Sequence, residues 1–161
     1  MESESPEGVA SKTAKMTILV AEDDPHDQML LVMAAEDCGV DVDITIDFAN
    51  DGAELLAELK RRAAASAVPE LVVLDMRMPM LDGHDVLDAL RDDATLPDVR
   101  VGVFSSSYRQ QDIDRSLQKG AAWHEVKPSR YEELVEFVER IATQFAPKPA
   151  NHPEIASATH P

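Results

Sequence analysis

The chain has 161 residues, and its 31 acidic against 15 basic side chains give a formal charge of −16, a field that repels nucleic acid and anionic membranes and argues against direct binding of either. A hydrophobic content of 44% suits one globular domain with tails; no apolar run approaches the ~20 residues of a membrane span and the polar, acidic start is no secretory leader, so the expected location is cytoplasmic. The one cysteine, Cys38, lies among apolar neighbours and leaves an internal disulfide impossible and redox chemistry unsupported.

Residues 1–15 are rich in Ser, Glu, Pro and Gly and are expected to be disordered, with the ordered domain over 16–145 and a loose tail over 146–161. From Thr17 to Ala21 the chain reads as a strand buried on both faces, ending in Glu22, Asp23 and Asp24. Asp24 as N-cap and Pro25 as first helical residue start a helix through Met29, Leu30, Met33, Ala34 and Cys38, closed by Gly39. Ile44, Ile46 and Phe48 alternate with Thr45 and Asp47, the pattern of a strand less deeply buried. Asn50, Asp51 and Gly52 open a second helix carrying Leu55, Leu56 and Leu59, which an alanine-rich stretch extends toward Val68.

Leu71 to Leu74 is a run of four apolar residues, read as a buried strand that delivers one carboxylate, Asp75, to its C-terminal edge. Pro79 and Asp82-Gly83 then force a turn, so the acid stands at the mouth of a loop. Val86, Leu87 and Leu90 mark a helix, and Leu96-Pro97 breaks the chain before a strand over Val99 to Phe104 that ends in Ser105, Ser106 and Ser107. A helix with Ile113 and Leu117 inward stops at Gly120, and a short strand from Ala121 to Val126 reaches Lys127-Pro128. Ser129 and Glu132 predict a capping box for a last helix with the stripe Leu134, Phe137, Val138, Ile141 and Phe145. Five strands alternating with five helices imply an α/β fold, a doubly wound five-stranded parallel sheet covered on both faces.

In such a sheet the strand ends share one edge, so Glu22, Asp23, Asp75, Ser105 and Lys127 are expected to converge there. Carboxylates ~4 Å apart repel by about 4 kcal/mol at an effective dielectric of 20, so the cluster needs a cation. With no His or Cys beside them, the carboxylates suit a hard, oxygen-seeking ion, and Mg²⁺ fits best. A cation, a lysine, a hydroxyl and one carboxylate free to attack suit phosphoryl transfer onto that carboxylate, and the absence of a strong activator of water favours a stored acyl phosphate.

Glu22-Asp23, the stretch from Leu74-Asp75 through Pro79 to Asp82-Gly83, Ser105 and Lys127-Pro128 together resemble the receiver domain of two-component response regulators, over about Met16 to Phe145. The resemblance implies a flavodoxin-like fold in which Asp75 accepts a phosphoryl group from a sensor histidine kinase. It further implies that Glu22 and Asp23 are the acidic metal pair and that the backbone carbonyl of Arg77 completes the Mg²⁺ shell. Ser105 corresponds to the switch hydroxyl and Lys127 to the phosphate-binding lysine, in a stand-alone receiver of the chemotaxis-regulator type. The stretch from Glu22 to Asp27, the long segment before Pro69 and the run from Phe104 to Tyr108 are similar to small receivers that partner phytochrome-type kinases. One departure is His124, where the family commonly has an aromatic switch residue. Its smaller ring is expected either to pack neutral or to turn outward protonated, the latter favoured by Glu125.

An aspartyl-phosphate hydrolase would need a second carboxylate two residues after its nucleophile, where this chain has Arg77. A nucleotide-binding ATPase would need a Gly-rich phosphate loop, which is missing. A receiver fold acting as an interaction module without phosphorylation remains as the alternative, and the intact acid, hydroxyl and lysine set argues against it. His26 and His84 are expected at the surface, with no zinc site. Val135, Val138 and Ala142, apolar beside the stripe of the last helix, are expected to form a homodimer contact.

Overall fold

A computed structural model of the chain describes residues 14–148. Five strands, β1 (Ala14–Ala21), β2 (Val42–Ala49), β3 (Leu71–Leu74), β4 (Val101–Ser105) and β5 (Trp123–Val126), alternate with five helices, α1 (Pro25–Asp37), α2 (Gly52–Ala64), α3 (Gly83–Asp92), α4 (Gln110–Gln118) and α5 (Tyr131–Phe145). All strand pairs are parallel, in the order β2-β1-β3-β4-β5. The chain winds outward from β1 to β2 and then crosses to β3 on the other side, which puts the topological switch point between β1 and β3.

Side-chain parity builds two cores, because successive residues of a strand face opposite sides of the sheet. Leu19, Ala21, Val72, Leu74 and Val103 meet Leu55 and Leu59 of α2 and Val86 and Leu87 of α3 on one face. Ile18, Val20, Leu71, Val73 and Phe104 meet Leu31 and Ala34 of α1 and Leu134, Phe137, Val138 and Ile141 of α5 on the other. Burying each such Leu or Phe contributes about 1.5–3 kcal/mol, so the central strands are held from both sides. The outer strand β2 is only half-buried, as its alternation predicts.

Local signals set most helix starts. Asp24 caps α1 by accepting from His26 N at 2.9 Å, and Pro25 occupies the first turn. Asp51 caps α2 through Glu54 N at 2.8 Å, and Asp82 caps α3 through Asp85 N at 2.9 Å. A Cβ on Gly83, at the head of α3, would press on the Met76 thioether, which would have to move aside.

Several expectations are corrected. β1 begins at Ala14, two residues before the change of pattern, because Ala14 pairs with Val42 and is buried; of the expected C-terminal tail, Ala146 caps α5 and packs on the core, and residues 1–13 and 149–161 lie outside the described residues. α1 is capped at Cys38 in extended backbone and not closed by a left-handed Gly39. α5 starts after Arg130 without a side-chain cap, so Ser129 and Glu132 form no capping box. Leu117 is exposed, and the buried side chain of α4 is Ser116. Val138 and Ala142 are buried and Val135 packs on the same core, so the apolar residues expected to make a homodimer contact are largely used inside the domain.

Candidate functional site: an acidic cluster at the sheet's switch point

Continuing the parity of β1 and β3 past their ends places Glu22 and Asp75 side by side above the α1 and α5 core. Backbone hydrogen bonds extend the sheet one step beyond the strands: Asp75 N donates to Ala21 O at 3.2 Å and Lys127 N to Ser105 O at 2.9 Å. The loops therefore leave from a fixed edge. Glu22 (2% exposed) and Asp75 (8% exposed) are buried, while Asp23 is exposed. One ligand oxygen from each of the three lies within 4.8 Å of the others.

Lys127 reaches back over this cluster. Its Nζ donates to Glu22 Oε2 at 2.9 Å, to Asp75 Oδ2 at 3.1 Å and to Asp27 Oδ2 at 3.3 Å. Asp75 Oδ1 accepts from Arg77 N at 3.0 Å, so both oxygens of the aspartate are oriented. A small apolar recess lined by Leu30, Leu31, Phe104, Pro128 and Leu134 lies beside these groups and lowers the local polarity. Burial accordingly pushes the Glu22 carboxyl up to about 7; the Lys127 ammonium draws it partly back and Asp75 opposes that pull. Burial works against the Lys127 charge too, but the Asp75 and Glu22 carboxylates outweigh it and hold the ammonium above its ordinary value.

The sequence-derived set thus comes together in part. Glu22, Asp23, Asp75 and Lys127 converge as expected. Arg77 joins through its backbone N–H. Ser105 is fully buried at the end of β4, its hydroxyl accepting from Ser107 N at 3.2 Å. His124 faces the other side of β5: its Nδ1 is 2.8 Å from Ser116 Oγ on α4. Glu125, expected to attract the imidazole outward, instead faces α5 and takes both its bonds from Arg140 at 2.7 Å. Strand alternation separates the two neighbours, so burial lowers the His124 pKa, against smaller opposing effects of Ser107 and Asp112. His84 is likewise not a free surface residue: its Nδ1 is buried.

Two participants escaped sequence reading. Asp27 contacts the lysine from the first turn of α1, where side chains lean back toward the helix N-terminus and hence toward the strand end, a signal that was available. Ser107 bonds Asp112 at 2.6 Å and joins the Ser105 loop to α4, a contact with no sequence signature.

The arrangement holds the Asp75 carboxylate beside the Lys127 ammonium. Its other three-oxygen face, with no His or Cys and with one carboxyl held up by burial, fits a hard divalent ion that would compensate the crowded charge. Residues 18–139 match the response regulator receiver domain. This chain belongs to that family.

The receiver is 31% identical over 137 residues to an uncharacterized 14.6 kDa protein of Leptolyngbya boryana, covering 83% of this chain and 95% of that one. Among solved structures it resembles the phosphorylated cyanobacterial phytochrome response regulator RcpA, with 28% identity, a TM-score of 0.69 and coverage of 82% and 94% of the two chains. It also resembles the Mn²⁺-bound form of response regulator Rcp1, with 25% identity, a TM-score of 0.65 and coverage of 80% and 92%. The receiver is a phospho-acceptor signalling module of two-component systems, and the acidic triad stands at the expected place. Among the described residues no helix is long and apolar enough to cross a membrane.

Proposed function

We propose that this receiver, in the cytoplasm, accepts a phosphoryl group on Asp75 from a sensor histidine kinase and passes the signal on by protein–protein contact. The observation that carries the reading is the orientation of Asp75: one oxygen rests on the Arg77 N–H and the other on the Lys127 ammonium, at the end of a central strand. In the transfer the Asp75 oxygen forms a new P–O bond as the donor P–N bond breaks, and the departing imidazole keeps the electron pair. Lys127 moves a hydrogen bond from the carboxylate to a phosphoryl oxygen, and the Ser105 hydroxyl, at the adjoining strand end, takes another.

Glu22, Asp23, Asp75 and the Arg77 carbonyl would hold Mg²⁺, which supplies charge neutralisation for the phosphoryl oxygens. The metal-bound state of the similar Rcp1 supports a divalent ion here. The likeness to RcpA supports a phytochrome-type kinase as the partner. Ser105 and His124 form the switch: Ser105 moving toward a phosphoryl group pulls on Ser107, which is bonded to Asp112 of α4, the helix whose Ser116 holds His124.

The test is the intact mass of the purified chain after incubation with acetyl phosphate and Mg²⁺. Wild type gains one phosphoryl group and Asp75→Asn gains none. A phosphorylated Asp75→Asn would move the acceptor elsewhere, and an unmodified wild type would leave the interaction module without phosphorylation as the reading.

A further inference from the structure

We propose that Asp27 is a positioning residue for phosphoryl transfer at Asp75, holding the Lys127 ammonium while Glu22 and Asp75 turn their oxygens to the cation and the phosphoryl group. The inference rests on the phospho-acceptor reading above.

A lysine ammonium has three N–H donors. Lys127 directs them at three carboxylates, Glu22 at 2.9 Å, Asp75 at 3.1 Å and Asp27 at 3.3 Å. The first two also belong to the acidic triad, and Asp27 does not. Two of the three partners of the lysine are therefore shared with other tasks during the reaction, and Asp27 is the partner with no second task.

The position of Asp27 suits a tether. Its backbone lies in the first turn of α1, fixed on one side by the Asp24 cap on His26 N at 2.9 Å. On the other side Gln28 Nε2 donates to Glu22 O at 2.6 Å, binding that turn to the end of β1. The Lys127 stem is a flexible four-carbon chain whose ordering costs rotamer entropy. An anchor that persists through the reaction keeps that ordering from being repeated at each transfer. The Asp27 side chain is 37% exposed, so the bond is partly screened and its effect is moderate.

The chemistry is followed with acetyl phosphate on the full chain. The Asp75 oxygen forms the new P–O bond, the acyl P–O bond of the donor breaks, acetate leaves with the electron pair, and no proton is transferred. Initial rates against donor concentration are measured by intact mass for wild type, Asp27→Ala, Asp27→Asn, Asp27→Glu, Lys127→Ala and the Asp27→Ala/Lys127→Ala double variant. Magnesium affinity is measured calorimetrically for each.

The expected result is a maximal rate about fivefold lower in Asp27→Ala, the worth of one partly exposed charge-assisted hydrogen bond. Half-saturating donor concentration and magnesium affinity stay within about twofold, Asp27→Glu restores the rate, and Asp27→Ala has no further effect when Lys127 is already removed. In the metal-free protein, NMR shows faster exchange of the Lys127 ammonium protons in Asp27→Asn, which keeps the shape of the side chain. Wild-type maximal rates in both Asp27→Ala and Asp27→Asn, or an equal loss in the Lys127→Ala background, overturn the proposal. If wild type itself takes no phosphoryl group, the phospho-acceptor reading fails instead, and unchanged ammonium exchange in Asp27→Asn then removes the tether as well.

Discussion

His124 and Ser116 share a hydrogen bond of 2.8 Å between ring Nδ1 and Oγ, across the gap between β5 and α4. Burial holds the imidazole pKa below its ordinary 6.5, so the folded state resists a proton that the unfolded chain accepts. The unfolded state therefore binds more protons once the pH drops below about 6.5, and stability falls with pH there before levelling off below the folded-state pKa. His84, lowered chiefly by burial as well, acts in the same direction. Denaturant melts of wild type and His124→Gln between pH 8 and 5 check this: the slope on the acid side is shallower in the variant. Equal slopes would show that His124 titrates as it does in the unfolded chain.

Gly102 and Trp123 are cross-strand partners, and a Cβ on Gly102 would run into the indole. The indole meets Phe137 edge-on at 5.4 Å, and Phe137 stacks on Phe104 at 4.3 Å, so it has little room to withdraw. Gly102→Ala is expected to cost about 1–3 kcal/mol by overpacking, read as a lower urea midpoint, with a shifted Trp123 emission in the folded state. An unchanged midpoint would mean that the aromatic stack gives way freely.

Asp23 is exposed, whereas Glu22 and Asp75 are buried. Asp23→Asn should raise the melting temperature of the metal-free protein slightly, by relieving repulsion within the acidic cluster, and weaken Mg²⁺ binding about tenfold, because the substitution removes a ligand charge without disturbing packing. Calorimetric titration provides the readout, and unaltered affinity would take Asp23 out of the metal shell.

Met80 is 82% exposed and has φ +72° in the loop that follows Asp75. A side chain in that left-handed region costs about 1–2 kcal/mol, and replacing it by glycine returns about 0.5–1 kcal/mol of unfolded-state entropy. Met80→Gly should thus raise stability by roughly 0.5–1 kcal/mol. A fall in the urea midpoint would indicate that the exposed methionine makes a stabilising contact.

The sequence by itself determined the strand and helix alternation, because buried runs such as Leu71 to Leu74 and caps such as Asp24, Asp51 and Asp82 act locally. It also determined the convergence of Glu22, Asp23, Asp75 and Lys127, since a parallel sheet leaves one edge for all strand ends. The resemblance to receivers added the task proposed for each residue. Tertiary structure alone decided the rest. Whether Leu117 or Ser116 turns inward depends on how α4 lies against β5, and the two apolar stripes of α5 are both used because α1 and the sheet flank it. The separation of His124 from Glu125 was legible in principle from strand alternation, but which partner each would meet was not: Ser116 and Arg140 come from different helices on opposite faces. The third carboxylate on Lys127 was legible in part, since side chains in the first turn of α1 lean toward the strand end, but whether Asp27 reaches the ammonium depends on the angle at which α1 leaves β1.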